Sequence, residues 1–183
     1  MSAVGGSGIS ALAFKPIGDQ PPFAPEALER FVAAARIAML SYVRHDGRPG
    51  QIPIWYVYRD GAFFASTVTG SPKHRALLRD PRVCLAIQDE RPPYRAVMFD
   101  ATVEMRPAGP GSPVDGIERR YFGRIGGEEY RKMTNEAYAA TGLTEIIIRP
   151  ENVRGFDNSS LSSWPTTLFV RLRPRIPLLR RWL

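Results

Sequence analysis

Between Ile37 and Thr67 the chain alternates short runs of β-branched, aromatic and apolar residues with two Asp-Gly pairs, Asp46-Gly47 and Asp60-Gly61. Asp-Gly is favoured where both central residues of a tight hairpin turn must take positive φ. The runs 37–43, 51–58 and 62–67 are therefore expected to form three consecutive antiparallel strands joined by two hairpins. No other local feature restricts the fold as strongly.

The flanking text completes this picture. Pro25 opens a helix whose Leu28, Phe31, Val32 and Ala35 share one face at helical spacing. Ser71-Pro72 reads as an N-cap with Pro at the first helical position, starting a short helix that runs to about Arg79 and is stopped by Asp80-Pro81. Residues 83–87 and 95–106 read as a fourth and a fifth strand, on either side of the Pro92-Pro93 corner. The Pro- and Gly-rich stretch 107–116 is a loop, 117–125 and 128–140 are expected helices, and 144–149 is a sixth strand bounded by Pro150. Short strands with tight turns and few helices predict a mainly β protein, a small barrel with peripheral helices.

The 183 residues suit one domain, with 44% hydrophobic and 23% charged residues, which excludes wholesale disorder. Residues 1–20, rich in Gly, Ser and Ala, are expected to be a flexible leader. Gly6-x-Gly8-x-x-Ala11 loosely matches a dinucleotide fingerprint, but no strand precedes it and the match carries no weight. Residues 21–157 form the expected barrel domain. Residues 158–183 are a basic tail: five arginines and no acid, while the rest of the chain is close to neutral within the net charge of +7. Such a tail could touch an anionic surface, though it carries neither stacking platforms nor a groove-reading helix for bases.

A single cysteine, Cys84, excludes an internal disulfide framework, and two histidines make a Cys/His metal site unexpected. No run of about 18 apolar residues is present for a membrane span, and no basic residue precedes Lys15 as a secretory signal would require. The chain reads as cytoplasmic. Gly-x-Ser-x-Gly is absent, so a nucleophile-based hydrolase has no support.

One segment is richer than the rest. From Arg36 to Glu104 the order Ala35-Arg-Ile-Ala-Met-Leu, His45-Asp-Gly-Arg-Pro, Ile52-Pro-Ile-Trp-Tyr, Phe64-Ala-Ser-Thr, Ser71-Pro-Lys-His-Arg-Ala-Leu, Arg79-Asp-Pro-Arg-Val-Cys-Leu, Asp89-Glu-Arg-Pro-Pro-Tyr and Val97-Met-Phe-Asp-Ala-Thr-Val-Glu resembles the split β-barrel flavin and deazaflavin oxidoreductases. That superfamily is the one of pyridoxamine 5′-phosphate oxidase, and the branch most similar uses the deazaflavin coenzyme F-420. The resemblance implies a split β-barrel and a homodimer with a cofactor, F-420 or FMN, at the subunit boundary. It implies hydride transfer to or from a small conjugated substrate. It places Ser66, Thr67, Ser71 and Lys73 at the cofactor phosphate and Pro53, Ile54 and Trp55 beside the ring. Tyr94 and Arg95 fall at the substrate side or the dimer boundary. The residues themselves agree with the phosphate assignment, since a helix mouth supplies unpaired N–H groups and a positive dipole end, and Lys73 is one of only three lysines.

The pattern departs from the family in one respect. Val68-Thr69-Gly70 stands where relatives often carry a further basic residue, and Pro72 replaces another. Fewer cations leave the cofactor's identity open. They also keep a rival reading in play, a non-catalytic barrel that carries a flavin, haem or tetrapyrrole.

Overall fold

A computed structural model describes residues 8–161. In chain order the elements are β1 (Phe14–Pro16), α1 (Pro25–Ala33), β2 (Ala38–Val43), β3 (Pro49–Ile54), β4 (Val57–Arg59), β5 (Ala62–Val68), α2 (Pro72–Arg79), β6 (Arg82–Gln88), β7 (Arg95–Pro107), α3 (Ile117–Tyr138) and β8 (Leu143–Asp157). Eight strands make one mainly antiparallel sheet in the order β3-β2-β6-β7-β8-β5-β4, with β1 added in parallel to β8.

The two ends of that order are β3 and β4, yet these strands are consecutive in the chain and separated only by Trp55 and Tyr56. The sheet therefore curls until its ends approach without pairing, and the seam of the split barrel lies at those two residues. The run 51–58 is not one strand but two, β3 paired with β2 and β4 paired with β5. A continuous apolar run does not record where the chain changes partner.

The inner face of the sheet is the core. Leu40, Phe63, Ala65, Leu85, Ile87, Val97, Phe99, Ile146 and Ile148 are all fully buried, and each fully buried Leu, Ile or Phe side chain stabilises the fold by roughly 1.5–3 kcal/mol. α1 closes one opening with Leu28, Phe31 and Val32, three of the four residues that its spacing predicted; Ala35 lies beyond the end of the helix and is exposed. The Tyr56 hydroxyl reaches into this layer and donates to the Val32 carbonyl at 2.9 Å. Burial raises the Tyr56 phenol above its ordinary value.

The two Asp-Gly turns differ. Asp60 and Gly61 both have positive φ, 51° and 77°, as a two-residue turn requires. At the first turn only Gly47 does, at 78°, and the Arg44 and Gly47 N–H groups donate to Arg48 and Arg44 carbonyls. That hairpin is one residue longer than expected, with Gly47 absorbing the left-handed step.

The sixth strand, expected at 144–149, runs on to Asp157 as β8. Pro150 does not end it, because the register shifts there: Asp100 faces Asn152 while Ala101 faces Pro150. The extra residue forms a bulge, a place where the missing N–H of proline costs no ladder bond. The helices expected at 117–125 and 128–140 are the two halves of α3, broken by Gly123 at φ 72°. The halves fold together at Gly127, where a Cβ would lie 2.7 Å from Arg119 Cα.

Part of the expected leader is structured. Ile9 is 1% exposed in the core, its N–H donates to the Tyr58 hydroxyl at 3.2 Å, and Phe14–Pro16 pairs with β8. A Gly- and Ser-rich composition conceals one well-placed isoleucine. Apart from Asn158–Leu161, which forms a 3₁₀ turn, the expected basic tail lies outside the described residues.

Candidate functional site

At the end of β5 the chain turns directly into α2. Ser71 caps the helix, accepting the His74 N–H at 3.2 Å, and Pro72 occupies the first turn where a missing N–H is harmless. Thr67 Oγ1 lies 3.2 Å from Ser71 Oγ, and Thr69 Oγ1 lies 2.8 Å from Thr144 Oγ1. The strand end and helix mouth thus carry linked hydroxyls.

Lys73 is half-buried beside them. Among the described residues its ammonium has no carboxylate within ion-pair distance and no hydrogen-bond acceptor, and burial holds its pKa below the ordinary lysine value. A cation held out of water without a counter-charge is unfavourable unless an anion joins it. It opens onto a cleft of about 450 Å³, a volume within the usual range for small-molecule sites. Five of the seven expected cofactor residues line this cleft: Trp55, Ser66, Thr67, Ser71 and Lys73.

Pro53 and Ile54 do not. Ile54 is 6% exposed and turned into the core, while Pro53 faces outward and is exposed. Strand alternation turns Pro53 to the opposite face from Ile52 and Ile54; of that inward pair Ile52 reaches the cleft, while Ile54 is buried in the core. The same alternation separates Ser66 from Thr67. Thr67 turns towards Ser71, whereas Ser66 sits opposite Glu145, which in turn faces Arg106.

The other wall comes from α3, which the sequence reading did not connect with this site. The Tyr121 hydroxyl accepts the Tyr56 N–H at 3.0 Å and lies 2.9 Å from the Arg36 carbonyl and 3.1 Å from that of Tyr56. One phenol therefore takes the Tyr56 N–H and gives its single proton to one of the two carbonyls beside it at the seam. Its ring stacks on Trp55 at 5.1 Å and 15°, and Phe122 and Tyr130 pack against the same indole. Glu118 also lines the cleft, and its Oε2 is buried without a hydrogen-bond partner, so it is an acceptor free to take a donor from a ligand. The aromatic residues of 117–138 were visible in the sequence, but nothing local shows that they return to Trp55.

Tyr94 and Arg95 lie elsewhere. The Arg95 and Arg36 guanidinia share Asp89, at 2.6 and 3.0 Å, and lie 4.9 and 4.1 Å from the centre of the Phe31 ring. This group borders a different cleft of about 760 Å³, which has no lining residue in common with the Lys73 cleft. Tyr94 is exposed and does not line it. Cys84 is half-buried on the outer face of β6, and burial raises its thiol pKa, which disfavours the reactive thiolate. Among the described residues no group of three His, Cys, Asp or Glu side chains is placed to hold a metal, and no helix is long and apolar enough to cross a membrane.

The family described as pyridoxamine 5′-phosphate oxidase matches residues 24–157. No curated protein matches the chain. Among solved structures, a conserved hypothetical protein from Mycobacterium tuberculosis shares 24% identity with a TM-score of 0.62, covering 80% of this chain and 92% of its own. An F-420 reductase shares 21% identity with a TM-score of 0.54, covering 68% and 94%. An FAD-binding protein from Mesorhizobium loti shares 21% with a TM-score of 0.52, covering 73% and 92%. At these identities the likeness is one of fold.

Proposed function

Because the chain belongs to the pyridoxamine 5′-phosphate oxidase family, we propose that it is an oxidoreductase that holds a flavin-type cofactor, FMN or F-420, in the Lys73 cleft. The observation that carries this reading is the half-buried, unpaired Lys73 ammonium at the mouth of α2, next to the Thr67–Ser71 hydroxyl pair. These residues fit a phosphate: one fixed cation, hydroxyl donors, and a helix start whose dipole favours an anion. When bound, the cofactor supplies hydride chemistry. The chain's own residues position and shield it. Lys73, Ser71 and Thr67 hold the anionic end, Trp55 and Tyr130 present apolar surface that excludes water, and Glu118 accepts a hydrogen bond from a ligand donor.

A homodimer fits the outer face of the sheet. Pro53, Met39, Ala86 and Met98 stand in one cross-strand row there, pointing away from the core. A second copy covering this row would bring its own residues to the open seam, and a small conjugated substrate would enter between the two. The proposed location is the cytoplasm.

The test is a titration of the purified chain with FMN and with F-420, followed by cofactor fluorescence and absorbance, in the native form and in Lys73→Met. The native chain is expected to bind one of them, and removing the ammonium to weaken binding roughly tenfold or more. Absence of binding by both cofactors overturns the proposal. The aromatic roof that α3 places over Trp55 favours one rival, a carrier for flavin, haem or tetrapyrrole without turnover. A bound cofactor that no reductant or acceptor changes would support that rival.

A further inference from the structure

A second cleft adjoins the Lys73 cleft and shares Tyr42 and Pro72 with it. It measures about 460 Å³ and runs along α2 towards the β2–β3 hairpin, lined by Arg44, His45, Arg75 and Arg79, with no carboxylate among its described lining residues. Arg44 has Asp46 at 3.3 Å. Arg75 and Arg79 have no carboxylate partner among the described residues. Their guanidinia donate to the backbone carbonyls of Gly70 and Val43 instead. A carbonyl orients a guanidinium without cancelling its charge, and a guanidinium has five N–H donors, so most remain free for another acceptor. Two oriented guanidinia on successive turns of one helix face, neither in an ion pair among the described residues although Asp80 lies near Arg79, suit an anion, which they can grip with paired hydrogen bonds.

We propose that this groove is an anion subsite for the part of the cofactor that extends beyond the phosphate held at Lys73, so that the preferred ligand carries at least one further anionic group. The inference rests on the cofactor reading given above. It also accounts for the sparse cations at Val68-Thr69-Gly70: the positive charge missing from the strand end is supplied further along α2.

The experiment compares the native chain's affinity for FMN, for FAD, whose second phosphate extends the anion, and for F-420, whose tail carries carboxylates. Binding is read by cofactor fluorescence at low and at moderate salt. FAD or F-420 is expected to bind roughly tenfold or more tightly than FMN, with the steeper salt dependence. Arg75→Gln with Arg79→Gln is expected to bring that ligand to within about twofold of FMN while leaving FMN unchanged, and the paired Lys substitutions, which keep the charge, to retain part of the preference. Should the Gln pair not fold, Arg44→Gln in the exposed hairpin is expected to reduce the preference on its own. FMN binding that needs Lys73, with no gain for either longer ligand, overturns the groove and leaves the cofactor reading intact. An equal loss for FMN and the longer ligands in the Gln pair also overturns it. If no ligand binds the native chain, both fall.

Discussion

Tyr121→Phe isolates the bond that closes the seam. The substitution keeps the ring that stacks on Trp55 at 5.1 Å and removes only the hydroxyl. That hydroxyl accepts the Tyr56 N–H at 3.0 Å, and Tyr56 is 0% exposed, so the N–H has no water to turn to. An orphaned buried donor costs about 1–3 kcal/mol, and the lost O–H bond to the Arg36 or Tyr56 carbonyl adds about 0.5–1.5 kcal/mol. We expect a loss of about 1.5–4.5 kcal/mol in urea unfolding, or a fall in Tm of roughly 3–18 °C for a chain of this size. Tryptophan emission, with the contribution of Trp164 and Trp182 subtracted by a Trp55→Phe control, should stay close to native in Tyr121→Phe and shift in Tyr121→Ala, which also removes the stacked ring. A Tyr121→Phe loss below about 0.5 kcal/mol would refute the reasoning, because the seam would then be held by packing and not by this phenol.

Two further outcomes follow from charges in unusual surroundings. Glu145 is 0% exposed and bonded by Arg106 at 2.5 Å and by Ser112, whereas the Arg106 side chain is 55% exposed. Arg106→Ala strands the buried carboxylate and should cost about 3–5 kcal/mol, while Glu145→Leu leaves an arginine that water can reach and should cost clearly less; equal losses in denaturant unfolding would contradict this. The Lys73 ammonium is depressed by burial, so FMN affinity should decline as pH rises, starting below the ordinary lysine value, and Lys73→Met should show no such decline in fluorescence titrations. In the same window the unliganded folded chain binds fewer protons than the unfolded one, so its stability should rise with pH and not fall.

Much of the fold was legible because its signals are local. The alternation of β2, β5 and β6, the Asp60-Gly61 turn and the Ser71-Pro72 helix start each depend on residues within a few positions, and the structure keeps them all. The misread elements are those where a distant partner overrides local text. The run 51–58 breaks because β3 and β4 join opposite ends of the sheet, and Pro150 is tolerated because β8 itself bulges beside it, with Glu151 as the extra residue against β7. At the site, the helix-mouth pattern singled out Ser71 and Lys73 and the resemblance added Ser66 and Thr67, and all four line one cleft. The resemblance assigned Pro53 and Ile54 as part of a strand; the pleat turns the Pro53 side chain outward, while Ile54, on the same face as Ile52, is buried in the core beyond the cleft.

By itself the sequence determined that the chain would form a mainly β domain with a cation at a capped helix mouth, since turn chemistry, capping and period-two burial act over a few residues. Only the tertiary structure decided that Tyr121, sixty-five positions from Tyr56, would complete the seam, that Arg95 would pair with Asp89 away from Lys73, and that Arg75 and Arg79 would border a groove continuous with the Lys73 cleft. Such proximities arise from the closure of the whole sheet, and no local pattern of residues encodes them.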